Sequence, residues 1–159
     1  FQRIDITEYQ SIYDALLGHD AVIHLGAWAY WGIVPHAQTY GDNVQGTYNV
    51  FQACADLAIK RIVFASSNHV YGFGSDGSPP EYIAVDELHP YRPASCYGLS
   101  KMAGEQAADY FNNRYGLEIL SFRILGARSP QVLNSEIDKM AADPAGGRGR
   151  SRRYRPLRS

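Results

Sequence analysis

Two short apolar runs, "AVIHL" and "KRIVFASS", constrain the fold of this chain more than any other feature of its sequence. Their apolar residues stand at consecutive positions rather than at alternate ones, which indicates strands that are buried on both faces. Strands of this kind occur in parallel sheets that are covered by helices on both sides. A third strand is predicted in "LEILSFRIL". These runs therefore predict an α/β fold with a parallel sheet.

Helical patterns separate the predicted strands. The first helix should be capped by Thr7 and should end at Gly18, where a left-handed backbone suits glycine. The second lies in "NVQGTYNVFQACADLAI", with an apolar stripe that includes Val44, Tyr48 and Phe51. The third runs from about residue 94 to residue 115 and is closed by a glycine. Strands that alternate with helices predict parallel βαβ units.

Composition excludes several classes of protein. The chain has 159 residues, which suits about one domain, and a net charge of −1, which argues against nucleic acid as the main partner. Cys54 and Cys96 lack the spacing of a metal site or a redox pair, so we expect free thiols, no metal and a cytoplasmic protein. No apolar run is long enough to span a bilayer, so no membrane partner is expected.

The pattern changes beyond Pro130. "QVLNSEIDKMAA" predicts one short helix, whereas the last residues hold six arginines and little that can be buried. Like charges without apolar partners predict disorder, although a basic tail could also bind nucleic acid or anionic lipid. The predicted organisation is a domain over residues 1–143 followed by an Arg-rich disordered tail over residues 144–159.

Tyr97 and Lys101 form the first candidate for chemistry. Residues four apart on a helix share one face. An ammonium within about 4–6 Å can lower the pKa of a phenol by roughly 1–3 units, toward the range in which general acid–base catalysis is efficient. The alternative is structural, because Glu105 follows Lys101 by another four residues and could form a surface ion pair with it.

Ser66 and Ser67 form the second candidate. They end the strand "KRIVFASS", and ligands of open parallel sheets bind beyond the carboxyl ends of the strands. A serine hydroxyl at this point could bind a substrate oxygen and direct it toward Tyr97.

Taken in order, six segments resemble the extended short-chain dehydrogenase/reductases of the NAD-dependent epimerase/dehydratase group. They are "DIT", "DAVIHLGA", "NVQGTYNVFQAC", "KRIVFASSNHVYG", "DELHPYRPASCYGLSKMAGE" and "YGLEILSFRILG", and they cover roughly residues 1–130. The family opens with a strand, a glycine-rich turn and a helix, which this sequence does not contain. The resemblance implies a partial Rossmann-like, doubly wound parallel sheet without its first two strands, and an internal fragment that folds poorly alone.

The resemblance also implies roles for individual residues. Tyr97 would exchange a proton with a substrate hydroxyl, Lys101 would lower the pKa of Tyr97, and Ser67 would complete the catalytic triad. NAD or NADP would be the cofactor. Its contacts would be Asp5, Ile6, Leu25, Gly26, Ala27, Asn43, Tyr97, Lys101 and Leu125.

The implied activity is that of an oxidoreductase or epimerase acting on a sugar, a sugar acid or a nucleotide sugar. "SSNH" resembles the motif of uronate dehydrogenases, in which Ser67, Asn68 and His69 would contact the substrate. Dehydratases carry Asp-Glu where Asn68 and His69 stand, so dehydration is disfavoured. A non-catalytic Rossmann-like binding module or an inactive truncated fragment is the alternative. Relatives often form homodimers through the helices that hold Asn43 and Tyr97.

Overall fold

A computed structural model describes residues 1–73, 79–126 and 129–142. The predicted tail over residues 144–159 lies outside the described residues. The described residues divide into two compact units, the first ending at residue 125 and the second containing residues 126 and 129–142. The elements are α1 (Tyr9–Leu16), β1 (Ala21–His24), α2 (His36–Asp56), β2 (Arg61–Ser67), a 3-10 helix (Asn68–Tyr71), α3 (Cys96–Tyr115) and β3 (Glu118–Ile124) in the first unit, and α4 (Pro130–Ala142) in the second.

The three strands form one parallel sheet in the order β1-β2-β3. Val22 pairs with Ile62, and Ile62 in turn pairs with Ile119. Each connection between consecutive strands contains a helix, as parallel pairing requires. The predicted parallel α/β fold is confirmed, and β1 forms one edge of the sheet.

The hydrophobic core lies between one face of this sheet and the helices. Its largest fully buried side chains include Phe51 on α2, Phe64 on β2 and Phe111 on α3. The opposite face is open, because Ile23 is 70% exposed and Phe122 is 50% exposed. The expectation that these strands are buried on both faces is therefore wrong, since α1, α2 and α3 pack their buried residues into a single core on one side.

The helix ends depend on local hydrogen bonds. Thr7 does not cap α1, because its hydroxyl donates to Asp5 at 2.8 Å and the helix begins after Glu8. Ser95 does cap α3, since its Oγ accepts the backbone N–H of Gly98 at 3.0 Å. Gly18 adopts a φ of 77° at the end of α1, as predicted for a left-handed glycine.

A close contact between α3 and β2 sets the position of the third helix. A Cβ atom on Gly104 would lie 2.6 Å from Cζ of Phe64, so only glycine lets the helix approach the strand this closely. The approach brings the N-terminal half of α3 beside the carboxyl end of β2. Within the described ranges, no helix combines the length and apolar character needed to cross a lipid bilayer.

Candidate active site at the carboxyl end of the sheet

The structure brings Ser67, Tyr97 and Lys101 together. Ser67 is the last residue of β2, and Tyr97 lies in the first turn of α3. Lys101 Nζ lies 5.7 Å from the centre of the Tyr97 ring and donates a hydrogen bond of 2.7 Å to the carbonyl oxygen of Ala65. The Ser67 side chain acts on the Tyr97 phenol in the direction that lowers its pKa. The predicted triad therefore converges where β2 ends.

Burial dominates the electrostatics of this group. It raises the pKa of Tyr97, and the Ser67 side chain opposes this rise. Burial also lowers the pKa of Lys101 to about 8. The predicted net lowering of the pKa of the phenol is not found, because the pKa of Tyr97 is raised. The physical reason is that the ammonium bonds to Ala65 and not to the phenol, while removal from water disfavours the phenolate.

Glu105 is not the partner of Lys101. Its carboxylate accepts hydrogen bonds from Arg123 Nη2 at 2.8 Å and from the Tyr91 hydroxyl at 2.8 Å. Lys101 is only 4% exposed, so it is not a surface residue. The alternative reading of a Lys101–Glu105 surface ion pair is wrong.

The two serines of "FASS" face different partners. Ser66 donates to the Glu105 carboxylate. Ser67 accepts the backbone N–H of His69 at 3.2 Å and donates to Asn68 Oδ1 at 3.4 Å. This difference follows from the alternation of side chains along a strand. Ser67 is thus the serine on the side of the candidate site, together with the two residues after it.

Aromatic side chains surround His69. Its ring meets the rings of Tyr97 and Trp31 edge-on, with centroids 5.6 Å and 5.2 Å apart. Tyr30 stacks on Trp31 at 3.8 Å. Burial lowers the pKa of His69, which keeps the imidazole neutral at neutral pH. A neutral imidazole beside Tyr97 can form hydrogen bonds with a ligand but supplies no positive charge.

A cleft of about 740 Å³ opens beyond the carboxyl end of β1. Five residues predicted to contact a cofactor line it: Asp5, Ile6, Gly26, Ala27 and Asn43. Two further predicted contacts, Leu25 and Leu125, do not line this cleft and are 67% and 83% exposed. Lining residues that the sequence analysis missed include Arg3, Gln38 and Asp42.

Asn43 connects this cleft to α3. Its Oδ1 accepts the backbone N–H of Trp28 at 2.7 Å, and its Nδ2 donates to Ser100 Oγ at 3.1 Å. Ser100 in turn donates to the carbonyl oxygen of Tyr97 at 2.7 Å. Sequence reasoning missed Ser100. Its signal is a small polar residue three positions after the tyrosine, on the side of α3 that faces α2.

His24 is a core residue. It is 4% exposed, its Nε2 lies 3.2 Å from Thr47 Oγ1, and its ring stacks on Phe64 at 5.6 Å. Burial lowers its pKa to about 4, and the positive charge of Lys101 acts in the same direction. The imidazole is therefore neutral in the folded protein at neutral pH.

This shift predicts a loss of stability in acid. The unfolded chain binds a proton on His24 near the ordinary pKa of about 6.5, whereas the folded chain resists it down to about 4, so stability falls as pH decreases through this window. Between about pH 7 and about pH 5 the loss should be about 2 kcal/mol. Denaturant unfolding at both pH values measures it. The His24→Gln variant, which keeps a polar group near Thr47, should lose about 2 kcal/mol less stability than the wild type between these pH values. An equal loss in the two proteins would mean that another group causes the acid sensitivity.

The chain is similar to proteins whose names refer to sugars or sugar acids. A model of the NAD dependent epimerase/dehydratase family matches residues 1–143. The L-arabinose 1-dehydrogenase (NAD(P)(+)) of Haloferax volcanii is 39% identical over 132 residues, which are 76% of this chain and 50% of that protein. The uronate dehydrogenase of Pseudomonas putida is 37% identical over 132 residues, which are 82% of this chain and 46% of that protein. The chain spans about half the length of the curated relatives it matches.

Solved structures agree with this placement. A glucuronic acid dehydrogenase from Chromohalobacter salexigens superposes with a TM-score of 0.68 at 36% identity, over 79% of this chain and 44% of that one. A UDP-glucose 4-epimerase from Brucella ovis in complex with NAD gives a TM-score of 0.71 at 27% identity, over 79% and 38%. Both share the Rossmann-like arrangement of parallel strands and helices. The chain belongs to the NAD-dependent epimerase/dehydratase family.

Proposed function

We propose that the protein carrying this chain is an NAD(P)-dependent dehydrogenase that oxidises a sugar or a sugar acid, with Ser67, Tyr97 and Lys101 as its catalytic residues. The observation that carries the proposal is the convergence of these three side chains at the end of β2, where Lys101 Nζ lies 5.7 Å from the centre of the Tyr97 ring. Dehydrogenases of L-arabinose and of uronates among the relatives support this choice of substrate class.

Each catalytic side chain has a task that its contacts suit. The Tyr97 hydroxyl would exchange a proton with the substrate hydroxyl at the carbon that is oxidised. Ser67, which ends β2 on the side of Tyr97, would bind the same substrate oxygen and hold it in line. Lys101 carries its charge in a buried position beside the Tyr97 ring, where it would stabilise the phenolate that forms when Tyr97 gives up its proton.

The cleft beyond β1 fits a dinucleotide cofactor. A Cβ atom on Gly26 would lie 3.3 Å from Cγ2 of Ile6, so the glycine leaves the strand end open to a flat ligand. The hydrogen bonds from Thr7 lower the pKa of Asp5, whose carboxylate can then accept hydrogen bonds from a ribose or an adenine. Asp5, Ile6, Leu25, Gly26, Ala27, Asn43 and Leu125 would hold the cofactor together with Tyr97 and Lys101. When bound, the nicotinamide supplies the hydride acceptor.

The segment Ser67–Asn68–His69 would select the substrate. Asn68 and His69 are half-buried beside Tyr97 and offer neutral hydrogen-bonding groups rather than the acid and base that a dehydration needs. Neutral donors suit hydroxyl groups and the carboxylate of a sugar acid. A second candidate function is epimerisation of a nucleotide sugar, which the TM-score of 0.71 to a UDP-glucose 4-epimerase favours.

Product analysis tests the proposal and separates the two candidates. The complete protein should be incubated with NAD⁺ or NADP⁺ and with aldoses, uronates or UDP-hexoses in turn. A dehydrogenase accumulates the reduced cofactor with an aldose or a uronate, whereas an epimerase interconverts UDP-hexoses without releasing it. Binding of the cofactor in a calorimeter without turnover of any of these sugars would favour the non-catalytic binding module. Absence of both binding and turnover would overturn the proposal.

A further inference from the structure

Arg123 and Glu105 form a buried ion pair that the proposed catalytic step does not use. Their side chains are 15% and 7% exposed. Arg123 Nε lies 3.1 Å from both carboxylate oxygens of Glu105, and Nη2 lies 2.8 Å from Oε2. Contacts from two guanidinium nitrogens to one carboxylate form the strongest class of side-chain hydrogen bond. A pair of this kind is costly to bury and strongly destabilising to break, so its position in the fold has consequences.

The ion pair joins five parts of the first unit, namely β2, β3, α3, the 3-10 helix and the loop before α3. Arg123 comes from β3 and Glu105 from α3. Nη1 of Arg123 donates to the Tyr71 hydroxyl at 2.7 Å, Nη2 donates to the Tyr91 hydroxyl at 2.6 Å, and Ser66 at the end of β2 donates to Glu105. We refer to these five residues as the Arg123 cluster. The cluster includes Ser66, which directly precedes the candidate catalytic serine, Ser67.

Glu105 lies one helical turn after Lys101, and the two residues could pair. Side chains four positions apart on a helix are neighbours, and opposite charges there attract, all the more when they are buried. The Lys101 ammonium instead donates to Ala65 and lies 5.0 Å from the centre of the Phe64 ring. Arg123 competes successfully for the carboxylate because its planar guanidinium can bind both oxygens at once, whereas an ammonium is a single point charge.

The titratable groups around Lys101 show what would change if the Glu105 carboxylate were released from Arg123. On its own helix, the titratable neighbours are Tyr97 and Glu105, and β1 contributes His24, which is neutral at neutral pH. β2 contributes the Phe64 ring and the backbone carbonyl of Ala65, and α2 faces His24 with the uncharged Thr47. Glu105 is the carboxylate that the helix itself would bring to the ammonium.

We propose that Arg123 is a positioning residue that holds the Glu105 carboxylate away from Lys101, so that the Lys101 ammonium remains free to act on Tyr97 and the cofactor. The proposal rests on the proposed catalytic role of Lys101. It assigns to Arg123 an effect that acts through another residue, because Arg123 itself contacts Tyr71, Tyr91 and Glu105 and not the triad.

The test compares Arg123→Gln with the double variant Arg123→Gln/Glu105→Gln in the complete protein. The single variant releases a buried carboxylate next to Lys101, so the pKa of Lys101 should rise by about one unit or more, and turnover at neutral pH should fall by about tenfold. The double variant removes the carboxylate charge, so both quantities should return toward the wild-type values. Carbon NMR of the lysine side chains follows the titration, and loss of a signal in Lys101→Arg assigns it.

Arg61→Gln is the matched control. Arg61 also faces a glutamate, at 3.9 Å, but the two side chains are 81% and 75% exposed. Exposed pairs contribute little, so this variant should leave the Lys101 titration and turnover unchanged.

Two outcomes would overturn the proposal: a Lys101 pKa that does not rise in Arg123→Gln, or a double variant whose Lys101 pKa remains as high as that of the single one. A purely structural role for the ion pair predicts a double variant no better than the single one. The NMR titration requires no turnover, so an inactive wild-type protein would contradict the proposed function without deciding this question. If Arg123→Gln does not fold, Arg123→Lys, which retains the charge but not the two-point contact, should show a smaller rise of the same sign, and no rise there overturns the proposal.

Discussion

Replacing Tyr97 with phenylalanine should reduce turnover of the complete protein by about 10²–10⁴-fold, the usual contribution of a general acid–base group. The substitution removes one hydroxyl and keeps the ring. Ring contacts with His69, at 5.6 Å, and with Lys101, at 5.7 Å, do not require the hydroxyl. The lost atom is the hydroxyl oxygen whose pKa Ser67 acts to lower. The loss should therefore fall on the chemical step and not on folding.

Three measurements distinguish a loss of catalysis in Tyr97→Phe from a loss of folding or of cofactor binding. Thermal unfolding and calorimetric binding of the cofactor should remain close to those of the wild type, while turnover falls at saturating substrate. Tyr82→Phe provides the matched control, because the Tyr82 hydroxyl donates to Asp86 at 2.7 Å in an exposed position outside the site. That variant should turn over like the wild type. Wild-type turnover in Tyr97→Phe would remove Tyr97 from the catalytic step and favour a binding module.

The sequence predicted the sheet well because the relevant signal is local. Consecutive apolar residues identify a strand, and alternation with helices identifies parallel pairing, so the parallel sheet could be predicted without tertiary information. The buried face of α2 could not be predicted in this way. Its apolar stripe was assigned to Val44, Tyr48 and Phe51, but Tyr48 is 42% exposed, whereas the polar residues Asn43 and Thr47 are each 3% exposed. Hydrogen bonds to distant residues satisfy these two polar groups, and no periodic pattern reports such bonds.

The contacts of the candidate site likewise include some that the sequence could predict and others that it could not. The spacing of Tyr97 and Lys101 predicted that they are neighbours, since one helical turn relates them. The direction of the shift in the phenol pKa was wrong, because it depends on burial and on the acceptor that the ammonium finds, a carbonyl of β2 that is 36 positions away in the sequence. The partner of Glu105 is likewise 18 positions away, on β3. Contacts within a turn were predictable, and contacts between elements were not.

Gly98 presents the strictest steric requirement in the site. It follows Tyr97 in the first turn of α3, and a Cβ atom there would overlap the backbone carbonyl oxygen of His69 and lie 3.3 Å from Cβ of Pro93. A backbone carbonyl cannot rotate away as the end of a long side chain can. Any side chain at this position must therefore push α3 away from the segment that holds Ser67 and His69.

Gly98→Ala should accordingly lower turnover by about 10²-fold, the effect of a displacement of about 1 Å within a catalytic group, and should lower the free energy of unfolding by about 1–3 kcal/mol. The matched control is Gly41→Ala in α2, where a Cβ atom would meet nothing within 4 Å. There alanine should leave turnover unchanged and should stabilise the helix by up to about 1 kcal/mol. Denaturant unfolding and steady-state kinetics measure both variants. Equal turnover and equal free energies of unfolding in the two variants would mean that the approach of α3 to His69 does not set the geometry of the triad. Loss of turnover in Gly98→Ala and not in Gly41→Ala would show that the absence of a Cβ atom at residue 98 keeps Tyr97 close to Ser67.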